Sequence, residues 1–494
     1  MVYYIVQLYF QNRKGVSPVN VYQKLLSNTL LIALSTFGSK LLVFFLTPFY
    51  TAMLSTEEYG IMDNVVQLSN LLIPIASAGI ANAVIRFGLD GVTDKKAVYT
   101  FGIVVTAAGS ALLLAFYPLL DLIPYTNGYT LLVCFYVIAS NFHAACAQFS
   151  RSCGNVRLYA EGGILCTATA IGLNILFLAV FHWGVTGYVL SSILADVLCS
   201  FFYIIRDKQW RSFDLSSILG KGPGGKERLG TDWDMLRYAI PLIPTTVCSW
   251  IINMSDRFII TGMLGESANG IYSVANKMPT MLIVVSNIFT YAWQITAFAN
   301  QPREERERLF SNVARVYQAI TFVGAACLIV TAKISQSLLA GPDYYAGWQY
   351  VPLLSLATAF CCLSNFLTSV YMVDKRSVAT FVTILIGAVL NVTGNILLIP
   401  VMGPMGAALS TAVSYFVMFI TRVFHSRSSV AISWDLPRFI TSSLLVTALT
   451  AVMILEIPGW IWISLGLTAV IVVLNLKNLV KALLSLLKKK KIHD

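Results

Sequence analysis

The sequence predicts an all-α polytopic membrane protein of about 14 transmembrane helices, from the rule of ~20 apolar residues per crossing. The expected plan is two six-helix lobes related by a pseudo-twofold axis along the membrane normal, plus two C-terminal helices. Three observations carry this. The 494 residues are 57% hydrophobic and only 12% charged, against about a quarter charged in soluble domains. The mean hydropathy is +0.73, and long uncharged runs recur along almost the whole chain. Basic residues, finally, collect in alternate connections between those runs. Apolar and polar residues do not alternate, so a β-barrel is excluded.

The runs place spans at 27–53, 61–82, 98–120, 130–150, 161–181, 184–205, 236–263, 270–292, 312–338, 347–373, 377–400, 403–424, 437–457 and 459–480. Residues 1–26 are then a cytoplasmic or interfacial N-terminus, 27–205 the first lobe and 206–235 a cytoplasmic linker. Residues 236–424 form the second lobe, 425–483 a peripheral helix pair and 484–494 a basic cytoplasmic tail. The opening stretch "MVYYIVQLYFQNRKG" puts apolar residues before basic ones, the reverse of a secretory signal.

Orientation follows from the basic residues. With the N-terminus inside, all of the 34 Lys and Arg except Lys40, Arg257, Lys277 and Lys333 fall on the inner side. The short outer loops hold none, which is the positive-inside pattern and requires an even number of crossings. Both termini are therefore expected in the cytoplasm. The net charge of +11 needs no nucleic-acid partner, because the basic residues face anionic membrane lipids.

The nine cysteines show no C-x-x-C spacing, and all but Cys153 sit in apolar runs. They read as small apolar fillers. The four histidines are scattered, and His143, inside an apolar run, reads as a packed side chain. No metal site and no cofactor are expected. The linker contains "LGKGPGGKERLG" (219–230), most of a phosphate-binding loop. Glu227 stands where that motif needs a Ser or Thr hydroxyl, and the charged stretch before it is no buried strand, so it reads as loop chemistry.

Two stretches repeat. "TAMLSTEEYGIMDNVVQLSNLLI" (51–73) aligns with "TGMLGESANGIYSVANKMPTMLI" (261–283) at a constant offset, and "NILFLAVFHWGVTGYVLSS" (174–192) resembles "NILLIPVMGPMGAALST" (395–411). Gly187 answers Gly406, Asn174 answers Asn395 and Ser191 answers Ser410. Six crossings return the chain to its starting side, so the halves share one orientation, and transporters place their sites between such repeats. Pro48, Pro74, Pro241, Pro244 and Pro279 lie in or near spans and are expected to bend helices.

The charges left within the membrane are the candidate functional residues. Lys333 lies near a span end and is expected to snorkel outward. Lys40, Arg257 and Lys277 lie deeper, in the first, seventh and eighth spans, where a charge costs ~3 kcal/mol or more and so must face a bundle interior or wet cavity. The spans also hold Asp63, Asp196 and Asp256, as charge partners or ion-coupling groups. Asp256 and Arg257 are consecutive and point ~100° apart on a helix, so they are not expected to face the same way. An exposed positive site would attract a phosphate or diphosphate, with Arg257 able to hold two oxygens.

Taken in order, "SKLLVFFLTPFYTAMLSTEEYGI", "SDRFIITGMLGESANGIYSVANK", "FTYAW" and "NILLIPVMGPMGAALSTAVSY" resemble the polysaccharide (Wzx-type) flippases of the multidrug/oligosaccharidyl-lipid/polysaccharide exporter superfamily. The similarity extends over roughly 25–480; the N-terminal extension is not part of the pattern. The resemblance implies a two-lobed helical core, with two peripheral helices, in the bacterial cytoplasmic membrane. It implies movement of undecaprenyl-diphosphate-linked oligosaccharide from the cytoplasmic to the outer leaflet by alternating access, for cell-surface polysaccharide assembly, in a monomer and without enzymatic chemistry. It also implies that Lys40, Arg257 and Lys277 bind the diphosphate, and it leaves a coupling ion open. The rival readings are a cation-coupled drug antiporter of the same superfamily and a membrane glycosyltransferase or polymerase. The first favours acidic and aromatic cavity residues, and the second needs a sizeable loop carrying acid–base groups.

The linker reading has a direct consequence. Lys226→Ala is expected to leave transport unchanged and to alter no nucleotide turnover of the purified protein. An ATPase activity lost on that substitution would show the loop to be a nucleotide site.

Overall fold

The computed structural model describes residues 38, 41–42, 44–90, 93–126, 128–215, 225–297, 303–373 and 376–490, and among them only helices and turns occur. Ten of these helices are long and apolar enough to cross a membrane, and one bent pair makes an eleventh. The chain is thus an all-α, multi-pass membrane protein. Every expected span from the second onward has a helical counterpart, while most of the first lies outside the described residues.

The chain divides into two compact units, the first ending at Trp250 and the second starting at Ile251. The first contains α1 (Thr47–Met53), α2 (Thr56–Ala76), α3 (Ile80–Gly88), α4 (Lys95–Ala115), α5 (Thr130–Ser152), α6 (Val156–Val180), α7 (Gly184–Arg206) and α8 (Gly225–Ala239). The boundary falls within α9 (Ile243–Leu264). Part of the expected linker is therefore helical, and Met235 and Ala239 of α8 are buried against Ile80, Ala83 and Val84 of α3.

Local sequence sets the breaks. Ser55 caps α2, accepting from the Glu58 amide while Glu58 accepts from the Ser55 amide; such a box is worth about 1 kcal/mol. Between α2 and α3 the axis turns by 54°. Pro74 supplies no amide hydrogen to the last turn of α2, and Ala78 and Gly79 follow with positive φ of 49° and 64°. The expected proline bend is present here, and the left-handed pair after Pro74 completes it.

The second unit continues with α10 (Glu266–Ala275), α11 (Lys277–Ala297), α12 (Arg303–Val330), α13 (Ala332–Leu339), α14 (Val351–Val373), α15 (Ser377–Met402), α16 (Pro404–Ser426), α17 (Leu436–Leu455) and α18 (Trp460–Lys490). Its central post is α14, with 89% of its apolar window buried inside the protein. Helices α17 and α18 pack on α12, and the Asn475 amide donates to Ser442 Oγ at 3.1 Å to join them. One end of this packing is pinned by Lys333. Its ammonium pairs with Glu456 and lies 4.3 Å and 4.2 Å from the ring centres of Trp348 and Trp460. The expected snorkelling lysine is thus an anchor between α13 and the peripheral helices.

The repeated sequence stretches produce matching backbone events. Leu54 ends α1 before the Ser55 cap, and Leu264 ends α9 before the Gly265 cap. Gly187 lies against Phe177, and Gly406 against the Leu398 backbone. In both cases the absent Cβ lets a helix cross its predecessor closely, the small-residue contact that membrane helices favour. The hydrogen bonds have diverged. Ser191 donates to the Asn174 side chain at 2.8 Å, whereas Ser410 donates to the backbone carbonyl of Asn391 at 2.8 Å.

A pair of substitutions tests the close crossing. A Cβ at Gly406 would overlap the Leu398 carbonyl oxygen, while one at Gly466 in α18 would meet nothing within 4 Å. Gly406→Ala is expected to destabilise the protein by about 1–3 kcal/mol, the usual cost of overpacking. Gly466→Ala is expected to stabilise it by up to ~1 kcal/mol through helix propensity. Thermal unfolding of the two detergent-purified variants should move in opposite directions.

Candidate functional site

Two membrane-embedded charges of the second unit, Asp256 and Arg257, lie beside the break between α10 and α11. Pro279 causes that break. It is the third residue of α11, has no amide hydrogen, and its ring would clash with the carbonyl four residues back, which belongs to Ala275, the last residue of α10. Asn276 is left in the turn and Lys277 heads the new helix. The matched position in the first unit is Gln67, where α2 runs on without a break.

A pocket of about 80 Å³ opens beside this break. Its polar lining comes from Asn253, Asp256 and Arg257 of α9, Asn276 and Thr280 at the break, and Thr411 and Tyr415 of α16. Four spans therefore contribute to it, since Thr358 and Cys361 of α14 close one wall. The volume is far below the ~300–1,000 Å³ of sites for drug-sized ligands. It suits a few waters, a small cation or one phosphoryl group, and not a glycan.

Arg257 and Asp256 are 6% and 2% exposed, so neither is solvated by bulk water. Asp256 Oδ1 accepts from the Arg257 backbone amide at 2.9 Å, and Oδ2 accepts from the Tyr272 hydroxyl at 2.7 Å. The Tyr415 hydroxyl donates to Asn253 Oδ1. Behind them Asn391 is a hub. Its side-chain oxygen accepts from Ser255 and Asn395 at 3.1 Å each, and its amide donates to Thr411 Oγ1 at 3.0 Å. Such a connected network is what burial demands, because an unsatisfied polar group here would cost about 1–3 kcal/mol.

Asp256 and Arg257 border the same pocket despite their ~100° offset. The pocket reaches around α9 to α11 on one side and α16 on the other, so its arc on α9 is wide enough for both. Lys277 is half-buried next to Asn276, but its side chain is not part of the lining. Lys40 lies outside the described residues, so the structure does not place it against the other two bases.

The remaining acids sit in the first unit. Asp63 is buried in α2 and accepts from Gln67 Nε2 at 3.2 Å. Asp196 of α7 meets His143 of α5, with Nδ1 2.7 Å from Oδ1, and also accepts from Ser140. The histidine read from sequence as packed therefore has a carboxylate partner from a span two helices away. Cys166 adds a third potential ligand there: one ligand atom each from His143, Cys166 and Asp196 lies within 4.8 Å of the others. No metal site is expected from the sequence; the packing of α5, α6 and α7 brings these three side chains together. Neither partner is near His143 in the chain, so spacing gave no signal.

Arg422 is expected from the sequence among the inner-side basic residues, yet it is 1% exposed. Its Nη1 donates to the Ser364 carbonyl and to Thr368 Oγ1, both at 2.8 Å, and its Nε donates to Thr383 Oγ1 at 3.1 Å. Those acceptors lie on α14 and α15, so Arg422 ties both to α16 near the end of that helix.

A family described as polysaccharide biosynthesis protein matches residues 25–294. Membrane protein MJ1375 of Methanocaldococcus jannaschii is 22% identical over 412 residues, 78% of this chain and 93% of its own. Among solved structures, the lipid II flippase MurJ in an inward closed conformation superposes with TM-score 0.66 at 14% identity, over 92% of this chain and all of MurJ. An inward-facing multidrug resistance MATE family transporter of the MOP superfamily gives 0.65 at 14% identity, over 82% and 96%. A MOP superfamily transporter from Pyrococcus furiosus gives 0.55 at 14%, over 81% and 95%. At these identities the structural likeness establishes a shared fold.

Arg422 separates structural from functional charge. Arg422→Ala removes the charged hydrogen bonds and should cost about 2–3 kcal/mol of stability, since bonds to charged groups carry ~1.5–3 kcal/mol. Thermal unfolding and membrane abundance should both fall, and Arg422→Lys should recover part of each. Unchanged unfolding of the alanine variant would show that the tie contributes nothing.

Proposed function

The chain belongs to the polysaccharide biosynthesis protein family, and from that premise we propose that it flips a lipid-diphosphate-linked oligosaccharide across the bacterial cytoplasmic membrane by alternating access. The carrier expected from the sequence is undecaprenyl diphosphate. The observation that carries this reading is Arg257, buried at a polar pocket that four spans of the second unit build. A fork of guanidinium donors can engage two phosphate oxygens at once. The pocket's size suits a phosphoryl group and leaves the sugar to be held elsewhere. Lys40 and Lys277 are proposed to assist as point charges. The lipid II flippase fold extends over nearly the whole chain and supports a lipid-linked cargo. Transport, not bond chemistry, is the activity proposed, in a monomer with both termini in the cytoplasm.

One observation favours a second reading. Asp256 shares the pocket with Arg257, and a buried carboxylate is the usual group for binding a coupling cation. A cation-coupled drug antiporter of the same superfamily would use Asp256 as its essential group and Arg257 only as a neighbour. The similar TM-score of the MATE family transporter is compatible with it.

Variants of the pocket distinguish these. Arg257→Ala is expected to abolish flipping of labelled lipid-linked oligosaccharide in proteoliposomes, with membrane abundance intact. Arg257→Lys should recover part of it, and Lys40→Ala and Lys277→Ala should each impair it. If the charges serve only to neutralise each other, Arg257→Ala lowers abundance and an added Asp256→Asn restores it. Normal flipping at normal abundance in the Arg257→Ala protein would sink the diphosphate site.

A further inference from the structure

We propose that His143, Cys166 and Asp196 form a binding site for a borderline-soft divalent cation of the zinc class, within the first unit and apart from the Arg257 pocket. The three residues come from α5, α6 and α7, three consecutive spans. One ligand atom from each lies within 4.8 Å of the other two. The donors are an imidazole nitrogen, a thiol sulfur and a carboxylate oxygen, a mixed set that suits zinc better than magnesium or calcium.

The distances are close to what a metal needs. Cys166 Sγ lies 3.6 Å from Asp196 Oδ1, about the separation of S and O ligands on a tetrahedral ion with bonds of ~2.3 and ~2.0 Å. His143 Nδ1 lies 2.7 Å from the same oxygen, a hydrogen bond. A cation would take the place of the shared proton and widen that gap by about 0.6 Å, to the N···O separation that tetrahedral bonds of ~2.0 Å impose. Starting from an imidazolium–carboxylate pair and a thiol, binding releases the Nδ1 proton and the Cys166 thiol proton, and Nε2 keeps its own. The product has one divalent ion, one carboxylate, one thiolate and one neutral imidazole. Its net charge is zero, the least costly outcome inside a membrane. Three protein ligands leave the fourth position for water.

The surrounding residues hold this geometry. The His143 ring stacks on Tyr203, with centres 5.9 Å apart and planes 23° apart. The Tyr203 hydroxyl donates to the Tyr159 carbonyl at 3.0 Å. Tyr203 fits because Gly162 has no Cβ, which would overlap its ring and hydroxyl. Ser140 donates to the other Asp196 oxygen and so orients the carboxylate. Among the described residues Asp196 has no lysine or arginine partner, so a cation is not excluded by a resident positive side chain. The side chains of His143 and Asp196 are 20% and 16% exposed, so the cluster is not sealed.

The test uses the full chain in detergent, stripped with chelator and titrated with Co²⁺ alone. A Cys327→Ser background removes the one exposed cysteine. One equivalent of cobalt should bind, with a near-ultraviolet thiolate-to-cobalt charge-transfer band that Zn²⁺ displaces. Cys166→Ser should lose the band. His143→Ala and Asp196→Asn should weaken cobalt binding by more than the ~10–100-fold that loss of a supporting residue costs. Cys248→Ser, away from the cluster, should keep the band. Zn²⁺ should also raise the unfolding temperature of the parent protein and not that of the Cys166→Ser protein, which separates lost ligation from lost folding. No cobalt binding by the folded parent, or a band unchanged by Cys166→Ser, would overturn the site and leave the cluster a proton-sharing histidine–aspartate pair.

Discussion

The cost of leaving a polar group without a partner in hydrocarbon governs this molecule. It forces the backbone into helices, whose hydrogen bonds close within one segment. It acts equally on side chains, where a charge at depth costs ~3 kcal/mol or more. The described charges meet that cost in different ways. Lys333 reaches an acid and two indole rings at a span end. Arg422 spreads its charge over a carbonyl and two hydroxyls on neighbouring helices. Asp196 takes a histidine, a serine and a thiol. Arg257 and Asp256 instead border a small polar pocket. The first two solutions are complete in themselves, whereas the pocket can admit a ligand, and that distinguishes Arg257 from Arg422 more clearly than burial does.

The helices were legible in the sequence because hydropathy is a property of contiguous residues. The breaks were partly legible for the same reason. Pro74 and Pro279 act on carbonyls four residues away, so their effect is local, although the left-handed Ala78–Gly79 pair was not foreseen. The partners of buried polar groups were not legible. His143 and Asp196 are separated by all of α6, and only the packing of α5 against α7 brings them together. Arg422 sits near the end of α16, so counting charges by loop places it with exposed residues. Its burial depends on hydroxyls of α14 and α15 that carry no charge signal. Nor does the ~100° offset of Asp256 and Arg257 on one helix reveal that a single pocket wraps far enough to border both.

The two repeats show which parts of the duplicated plan are constrained. The positions that have kept their effect are those where backbone meets backbone: the helix breaks after Leu54 and Leu264, and the close crossings at Gly187 and Gly406. A side chain added at such a crossing must displace a neighbouring helix, so these positions tolerate little change. Side-chain chemistry is freer. Gln67 stands where the second unit has Lys277, and Asp63 where it has Ser273. In the first unit Asp63 is held by Gln67 and Asp196 by His143, whereas the second unit keeps Asp256 beside an arginine.

This divergence bears on how one fold can serve cargoes as different as those of its structural relatives. What they share is a fold, which leaves the interior polar residues to decide what is recognised. A pocket of about 80 Å³ cannot select an oligosaccharide by enclosing it. What it can select is charge and hydrogen-bonding capacity at one point, through Arg257, Asp256 and the amide and hydroxyl groups around them. Under the proposed function, recognition of that kind would discriminate the part of a lipid-linked cargo that every repeat unit shares, and would be indifferent to the part that varies. A transporter built this way would accept a changed glycan without a changed site, provided that the anionic link between lipid and sugar remained.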